Sequence, residues 1–367
     1  VSAVSAVWYR QPTDSSFRSP ARCDTMHCSA GEFAGLSRAY PVIDVRSPRE
    51  FAKGHLPGAH SMPLFSDEER HIVGLLYARE GRDAAMKEGL RLVGPKLAAF
   101  VDQAESIAPE RRLLVYCWRG GMRSGSIGWL LRTAGFSVTT LSGGYKAWRR
   151  YAGELFARPW PFIVIGGATG SGKSAVLRAL REAGESILDL EHEACHRGSA
   201  FGAIGLAAQP TQEHFENRCA MGLHLASGSA RIWMEDESRS IGRVNLPAPL
   251  WQSLLAAPVA HLIIPREQRV RILEGEYGIQ PREDLHEALS RISRRLSPER
   301  SREAFAALAD GRTDIVADRC LDYYDKYYAR ALQQRPPEKV TSFSYATLDV
   351  SRISNDLMTS FAQNSYH

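Results

Sequence analysis

The chain contains no apolar run approaching the roughly 20 residues that a membrane-spanning helix needs. Its 44% hydrophobic content, spread over 367 residues, is therefore expected to fill globular cores, with no membrane as partner. Cysteine is scarce and scattered: the six residues stand at 23, 28, 117, 195, 219 and 320. That spacing argues against a disulfide scaffold and predicts a reduced, cytoplasmic setting. Internal repeats and long low-complexity tracts are absent, which excludes a solenoid or a mostly disordered chain. The formal charge of +5 is too small to demand a polyanionic partner, yet it permits one. Val1-Ser-Ala-Val-Ser-Ala-Val7 is too short for a signal h-region and has no basic flank. Cys23, His27 and Cys28 offer three metal-type ligands, but no second pair follows them, so no metal site is expected there.

What the chain does have is chemistry at two glycine-rich turns. In Leu113-Leu-Val-Tyr-Cys117-Trp-Arg-Gly-Gly-Met-Arg123-Ser124 an apolar strand ends in a cysteine. The cysteine opens a glycine turn closed by an arginine. Such a turn sets the sulfur amid backbone N–H groups, and Arg119 and Arg123 add positive charge. Both features favour thiolate over thiol and can hold an anion against it. Cys117 is therefore the candidate nucleophile or chalcogen carrier, against the plainer reading of a buried strand-end cysteine.

The second turn follows the strand Pro161–Gly167 and reads G-x-x-x-x-G-K-S, with Gly167, Gly170, Gly172, Lys173 and Ser174. Residues 175–184 continue as a helix with a glycine stop. Strand, glycine loop and helix N-terminus are the context this motif requires. Backbone amides and the helix dipole would cradle a di- or triphosphate, Lys173 would neutralise it, and Ser174 could hold magnesium. The strand Glu185–Glu191 and the strand Arg231–Arg239 both end in acids, making Asp189 or Asp236 the candidate partner for such an ion.

The fold expected is α/β throughout. Residues 1–36 read as an irregular tail and 37–150 as a first parallel-sheet domain. Residues 151–275 read as a phosphate-loop α/β domain, and 276–367 as a mostly helical C-terminal region. In the first domain Tyr40–Arg46, Leu113–Tyr116 and Ser137–Leu141 are strands, and Ser47 caps a helix that begins at Pro48.

The run Asp44-Val-Arg46, Glu50-Phe51 and Gly54-His55-Leu-Pro-Gly58-Ala59 resembles the entry signature of the rhodanese domain. Leu141-Ser-Gly-Gly-Tyr145-Lys-Ala-Trp148 resembles its exit signature. The loop departs from the usual sulfurtransferase pattern, since C-x5-R replaces C-x-x-G-x-R. That is phosphatase spacing, and the wider ring suits a phosphate-bearing ligand. A rhodanese-like domain followed by a phosphate-loop domain resembles the tRNA 2-selenouridine synthase family. So do Asp67-Glu-Glu-Arg70, His196-Arg197-Gly-Ser199, Gln209-Pro with Gln212, and Glu235-Asp236-Glu-Ser-Arg239. His192-Glu193 departs from that pattern, which would place small or apolar residues there.

The resemblance implies two steps on 2-thiouridine at the tRNA wobble position. Geranyl diphosphate would alkylate the sulfur, and selenium from selenophosphate would then replace the S-geranyl group. It implies that Cys117, with Arg119 and Arg123, handles selenium and that Gly167–Ser174 binds the prenyl diphosphate. No tightly bound cofactor is implied beyond a possible magnesium ion. Asp189, His196, Arg197, Glu235, Asp236 and Arg239 are the further candidates for substrate or magnesium contacts. For tRNA phosphates, Arg291, Arg294, Arg295, Arg300 and Arg302 compete with the reading of a solvated helix face. Three rival readings remain: an ATP-dependent sulfurtransferase acting on tRNA, a C-x5-R phosphatase-like protein, and a non-enzymatic tRNA-binding scaffold.

Overall fold

Leu113–Tyr116 and Val138–Leu141 carry side chains that need cover on both faces, and parallel strands flanked by helices supply it. In the computed structural model, which describes residues 27–362, these strands lie side by side in a five-stranded parallel sheet. The first unit runs through β1 (His27–Cys28), α1 (Ala30–Leu36), β2 (Val42–Asp44), α2 (Pro48–Lys53) and β3 (Ala59–Ser61). It continues with α3 (Asp67–Glu80), α4 (Arg82–Val93), α5 (Leu97–Ile107), β4 (Arg112–Tyr116), α6 (Met122–Thr133), β5 (Ser137–Leu141) and α7 (Gly144–Ala157). Strand order is β1-β5-β4-β2-β3, so β4 is central and Cys117 follows its C-terminal end. Ile43, Leu113, Val115, Ile127 and Leu131 are each at most 2% exposed. Burial of such side chains contributes roughly 1.5–3 kcal/mol apiece, which anchors the strand that presents the cysteine.

Residues 27–36 correct the expected tail. His27 and Cys28 pair in parallel with Thr140 and Leu141. Ser29 caps α1 through a reciprocal bond with Glu32, and Phe33 and Ala34 are fully buried. A two-residue edge strand carries too little periodicity to be read locally. The N-terminal part of the tail, including Cys23, lies outside the described residues.

The chain divides at Leu155/Phe156. The second unit opens with β6 (Phe162–Gly167), α8 (Lys173–Glu182), β7 (Ser186–Leu188), α9 (Leu190–Ala194), α10 (Gln212–Leu225) and β8 (Ile232–Glu235). The short hairpin β9 (Ser240–Ile241) and β10 (Val244–Asn245) follows, then α11 (Ala248–Ala256) and β11 (Val259–Ile263). Four helices come next: α12 (Arg266–Tyr277), α13 (Arg282–Ile292), α14 (Pro298–Ala309) and α15 (Thr313–Gln333). The chain then returns through β12 (Val340–Ser344) and α16 (Val350–Ser360). The parallel sheet is ordered β12-β11-β6-β8-β7, with β6 in the middle and its glycine loop at the C-terminal edge.

The last segment shifts the expected boundary at residue 275. Val340–Ser344 pair in register with Val259–Ile263, and Ile353 and Leu357 of α16, with Phe361 just after it, join the core built on Val176, Leu177 and Leu180. The helices from Arg266 to Gln333 are thus an excursion from one α/β domain that residues 340–361 complete.

Candidate functional site

Cys117 follows β4 and is 3% exposed. Its Sγ lies 3.2 Å from Ser124 Oγ on the first turn of α6, and that hydroxyl is also 3.3 Å from the Gly121 carbonyl. The turn is held from beneath by the chain just after β5. Tyr145 N–H donates to the Cys117 carbonyl at 2.8 Å, and Lys146 N–H donates to Trp118 at 3.0 Å. Gly144, at φ +60°, is so close that a Cβ there would sit 2.3 Å from the Cys117 carbonyl oxygen and 2.4 Å from Gly120 N. Only glycine allows that approach. The distant Leu141–Trp148 run therefore acts as the floor of the cysteine turn.

The two arginines of the turn differ. Arg119 is exposed. Arg123 is half-buried and donates to Glu50 Oε2 at 2.7 Å. Burial would raise the Glu50 carboxyl, but the Arg123 hydrogen bond and charge, with the Ser47 N–H and Arg70, carry it below the ordinary glutamate range. Beneath the turn Arg46 and Asp44 form a fully buried pair at 2.6 Å. Arg46 also donates to Gly54 O at 2.6 Å and lies 3.8 Å over the Tyr145 ring. The Asp44-Val-Arg46 run thus braces the neighbouring loop.

In the second unit Gly170 and Gly172 adopt φ +80° and +79°, and Gly172 is the N-cap of α8. Lys173 Nζ folds back to the Gly167 carbonyl at 2.8 Å. Ser174 Oγ donates to Glu191 Oε2 at 2.9 Å. Glu191, not among the residues singled out by sequence, is the carboxylate that bonds Ser174, whereas Asp189 and Asp236 have other partners. Asp189 caps α9, accepting from His192 N at 2.8 Å. Asp236 is bound by Arg335 at 2.6 Å.

Two further carboxyls sit behind this edge. Burial, then the charges of Asp189 and Glu191, push the Glu235 carboxyl far above its ordinary range. It accepts from Leu190 N at 3.0 Å. Glu237 still meets solvent at its outer edge, yet enclosure and the adjacent Glu191 raise its carboxyl strongly as well.

His196 and Arg197 belong to a loop closed on itself. Gly198 N donates to His196 Nδ1 at 3.1 Å, and Arg197 donates to Ile204 O at 2.9 Å. Burial, with Arg197 and Arg291 nearby, lowers the His196 pKa. Arg239 is exposed at the start of the β9–β10 hairpin. That hairpin is clasped by Gln209, which bonds Ile241 O and Arg243 N, and by Gln212, which bonds both backbone groups of Asn245. The acidic His192-Glu193 departure is accommodated by Arg218, which reaches Glu193 at 2.8 Å. Three of the arginines considered for tRNA are engaged: Arg291 with Glu287, Arg295 with the Tyr323 hydroxyl, and Arg300 with Asp322.

A magnesium ion at the phosphate loop fits the donors present. Ser174 and Glu191 supply one hydroxyl and one carboxylate, and magnesium usually completes such a pair with water and phosphate oxygens. Among the described residues no group of three or more His, Cys, Asp or Glu side chains is disposed to hold a metal. Water and phosphate oxygens would complete the shell of any such ion.

Two family models match the chain. A rhodanese-like domain covers residues 29–151, and the AAA domain of tRNA 2-selenouridine synthase covers residues 160–355. The tRNA 2-selenouridine synthase of Bordetella petrii is 39% identical over 340 residues, covering 81% of this chain and 88% of that protein. The synthase of a Sulfurovum species is 37% identical over 317 residues, covering 80% of this chain and 86% of that protein.

Proposed function

The chain belongs to the tRNA 2-selenouridine synthase family, and from that premise we propose that it converts 2-thiouridine at the tRNA wobble position into 2-selenouridine. The observation that supports a two-step route is the presence in one chain of two separate glycine turns whose residue types suit an anion: the cysteine turn, with Arg119 and Arg123, and the phosphate loop, with Lys173.

In the first step the thiouridine sulfur attacks the first carbon of geranyl diphosphate. A C–S bond forms, the C–O bond breaks, diphosphate leaves, and the ring gives up its N3 proton. The residues Gly167–Ser174 bind the diphosphate. Lys173 exchanges its Gly167 carbonyl for phosphate oxygens, and the α8 N-terminus stabilises the charge that develops on departure. Ser174 and Glu191 are the residues that would hold a magnesium ion, which would add positive charge there.

In the second step selenophosphate and water deliver selenium to the same ring carbon. Geranyl thiol and phosphate are the other products, so no external oxidant or reductant enters. Alkylation is what makes this exchange feasible, because a thiocarbonyl sulfur leaves poorly and a thioether sulfur leaves as a thiol. In this reading Cys117 delivers selenium, and Arg119 and Arg123 receive the phosphate end of the donor.

The reading is tested by nucleoside mass spectrometry on 2-thiouridine tRNA. S-geranyl nucleoside with geranyl diphosphate alone, and 2-selenouridine after adding selenophosphate, are the expected products. Unchanged tRNA together with ATP turnover would instead support the ATP-dependent sulfurtransferase.

A further inference from the structure

A small cleft of about 50 Å³, part of it open to solvent, lies against the phosphate loop within the second unit. Thr169 of the loop forms one edge, and Leu273, Leu285, Val316, Ala317 and Leu321 form much of the wall. Loop and wall are in direct contact. A Cβ on Gly170 would lie 2.9 Å from Arg269 O and 3.0 Å from Leu273 Cγ, and Arg269 donates to Thr169 O at 3.2 Å.

The lining carries no carboxylate, carboxamide or cationic side chain. Two of its hydroxyls are engaged by backbone: Ala200 N–H donates to the Tyr324 oxygen at 3.3 Å, and Phe201 N–H donates to Ser199 Oγ at 3.2 Å. A nucleobase placed here would lose hydrogen bonds to water and regain few. An apolar chain would lose none. An occupant of both loop and cleft therefore has an anionic head and an apolar tail.

We propose that this cleft seats the isoprenoid chain of the prenyl diphosphate, and that Leu273 and Ala317 set the chain length it accepts. The proposal rests on the reading that the phosphate loop takes a prenyl diphosphate. Leu273 is 8% exposed and closes the wall beside Gly170. Ala317 is the small residue of the α15 face, where a larger side chain would project into the space.

The test compares the wild-type chain with Ala317→Leu and Leu273→Ala, using dimethylallyl, geranyl and farnesyl diphosphates and 2-thiouridine tRNA, with nucleoside mass spectrometry as readout. Thermal stabilisation by inorganic diphosphate reports an intact phosphate loop in each variant. Ala317→Leu is expected to raise KM for geranyl diphosphate at least tenfold while changing that for dimethylallyl diphosphate less than twofold. Leu273→Ala is expected to raise kcat/KM for farnesyl relative to geranyl diphosphate at least fivefold. A variant that no longer responds to inorganic diphosphate is replaced by Ala317→Val or Leu273→Val, which change volume less. Wild-type alkylation with unchanged chain-length ratios in responsive variants overturns the cleft assignment alone. Wild-type failure with all three diphosphates overturns the prenyl reading of the loop, and the cleft assignment with it.

Discussion

Arg123, the last residue of the C-x5-R turn, is bound to Glu50 at 2.7 Å across the first unit. The arginine that closes the ring is therefore positioned by a carboxylate, and part of its charge is already offset. Glu50 is in turn fixed by the Ser47 N–H at 3.1 Å, where it closes the start of α2. An anion arriving at the cysteine turn has to compete with Glu50 for Arg123.

That competition predicts the outcome of Glu50→Gln. The amide can still reach back to Ser47 and keep the cap, but it no longer offsets the arginine. KM for selenophosphate should fall about three- to tenfold, in line with the roughly 1 kcal/mol typical of one partly exposed ion pair. Steady-state selenation of pre-geranylated tRNA measures it, and an unchanged or higher KM would contradict the role given to Arg123.

The same pair gives a pH dependence. The Glu50 carboxyl is depressed in the folded state, so its contribution to stability is complete above the unfolded value of about 4.3. It is lost as pH falls through the lower, folded value. Acid unfolding of the wild type and of Glu50→Gln should therefore differ fully above about pH 5 and converge as pH falls from about 4.3 through the lower, folded value. Parallel curves would remove Glu50 from the account.

Gly144→Ala tests the floor of the cysteine turn. The added methyl would meet the Cys117 carbonyl at 2.3 Å in a backbone conformation that already disfavours L side chains. Overpacking of this kind costs about 1–3 kcal/mol. Selenation should drop sharply while geranylation is kept, and thermal unfolding should show the loss. Full selenation with wild-type stability would mean that the turn is not held there.

Glu191 and Asp189 are two residues apart and should behave differently. Glu191→Gln removes the carboxylate bound to Ser174 and should lower geranylation about a hundredfold, comparable to removing one transition-state donor. Asp189→Asn keeps an N-cap and should change stability by less than about 1 kcal/mol with little kinetic effect. Rates titrated against magnesium would show the difference, and equal losses in both would reject Glu191 as the ion's partner.

These residues also show what the sequence made legible. The cysteine turn and the phosphate loop could be read because strand, glycine turn and helix are contiguous, and the structure places both at the ends of central strands. That Glu191 is the carboxylate bonded to Ser174 could not be read, for a local reason. A strand read through to Glu191 puts Asp189 at its tip, but β7 stops at Leu188 and Asp189 begins α9 as its cap. That change of backbone direction carries Glu191 to Ser174. The strand at 340–344 was invisible because it is an edge strand with mostly exposed side chains, defined by pairing with β11 about eighty positions earlier. The apolar cleft combines residues from five separated segments, a juxtaposition that no local pattern encodes.

The most direct measurement separates the two sites on one substrate. Cys117→Ala and Lys173→Ala are each given 2-thiouridine tRNA with geranyl diphosphate, and pre-geranylated tRNA with selenophosphate, and the nucleosides are resolved by mass spectrometry. The account predicts that Cys117→Ala geranylates but does not selenate. It predicts that Lys173→Ala loses geranylation about a hundredfold or more and still selenates the pre-alkylated tRNA. Loss of both steps in either folded variant would contradict the division of work between the cysteine turn and the phosphate loop.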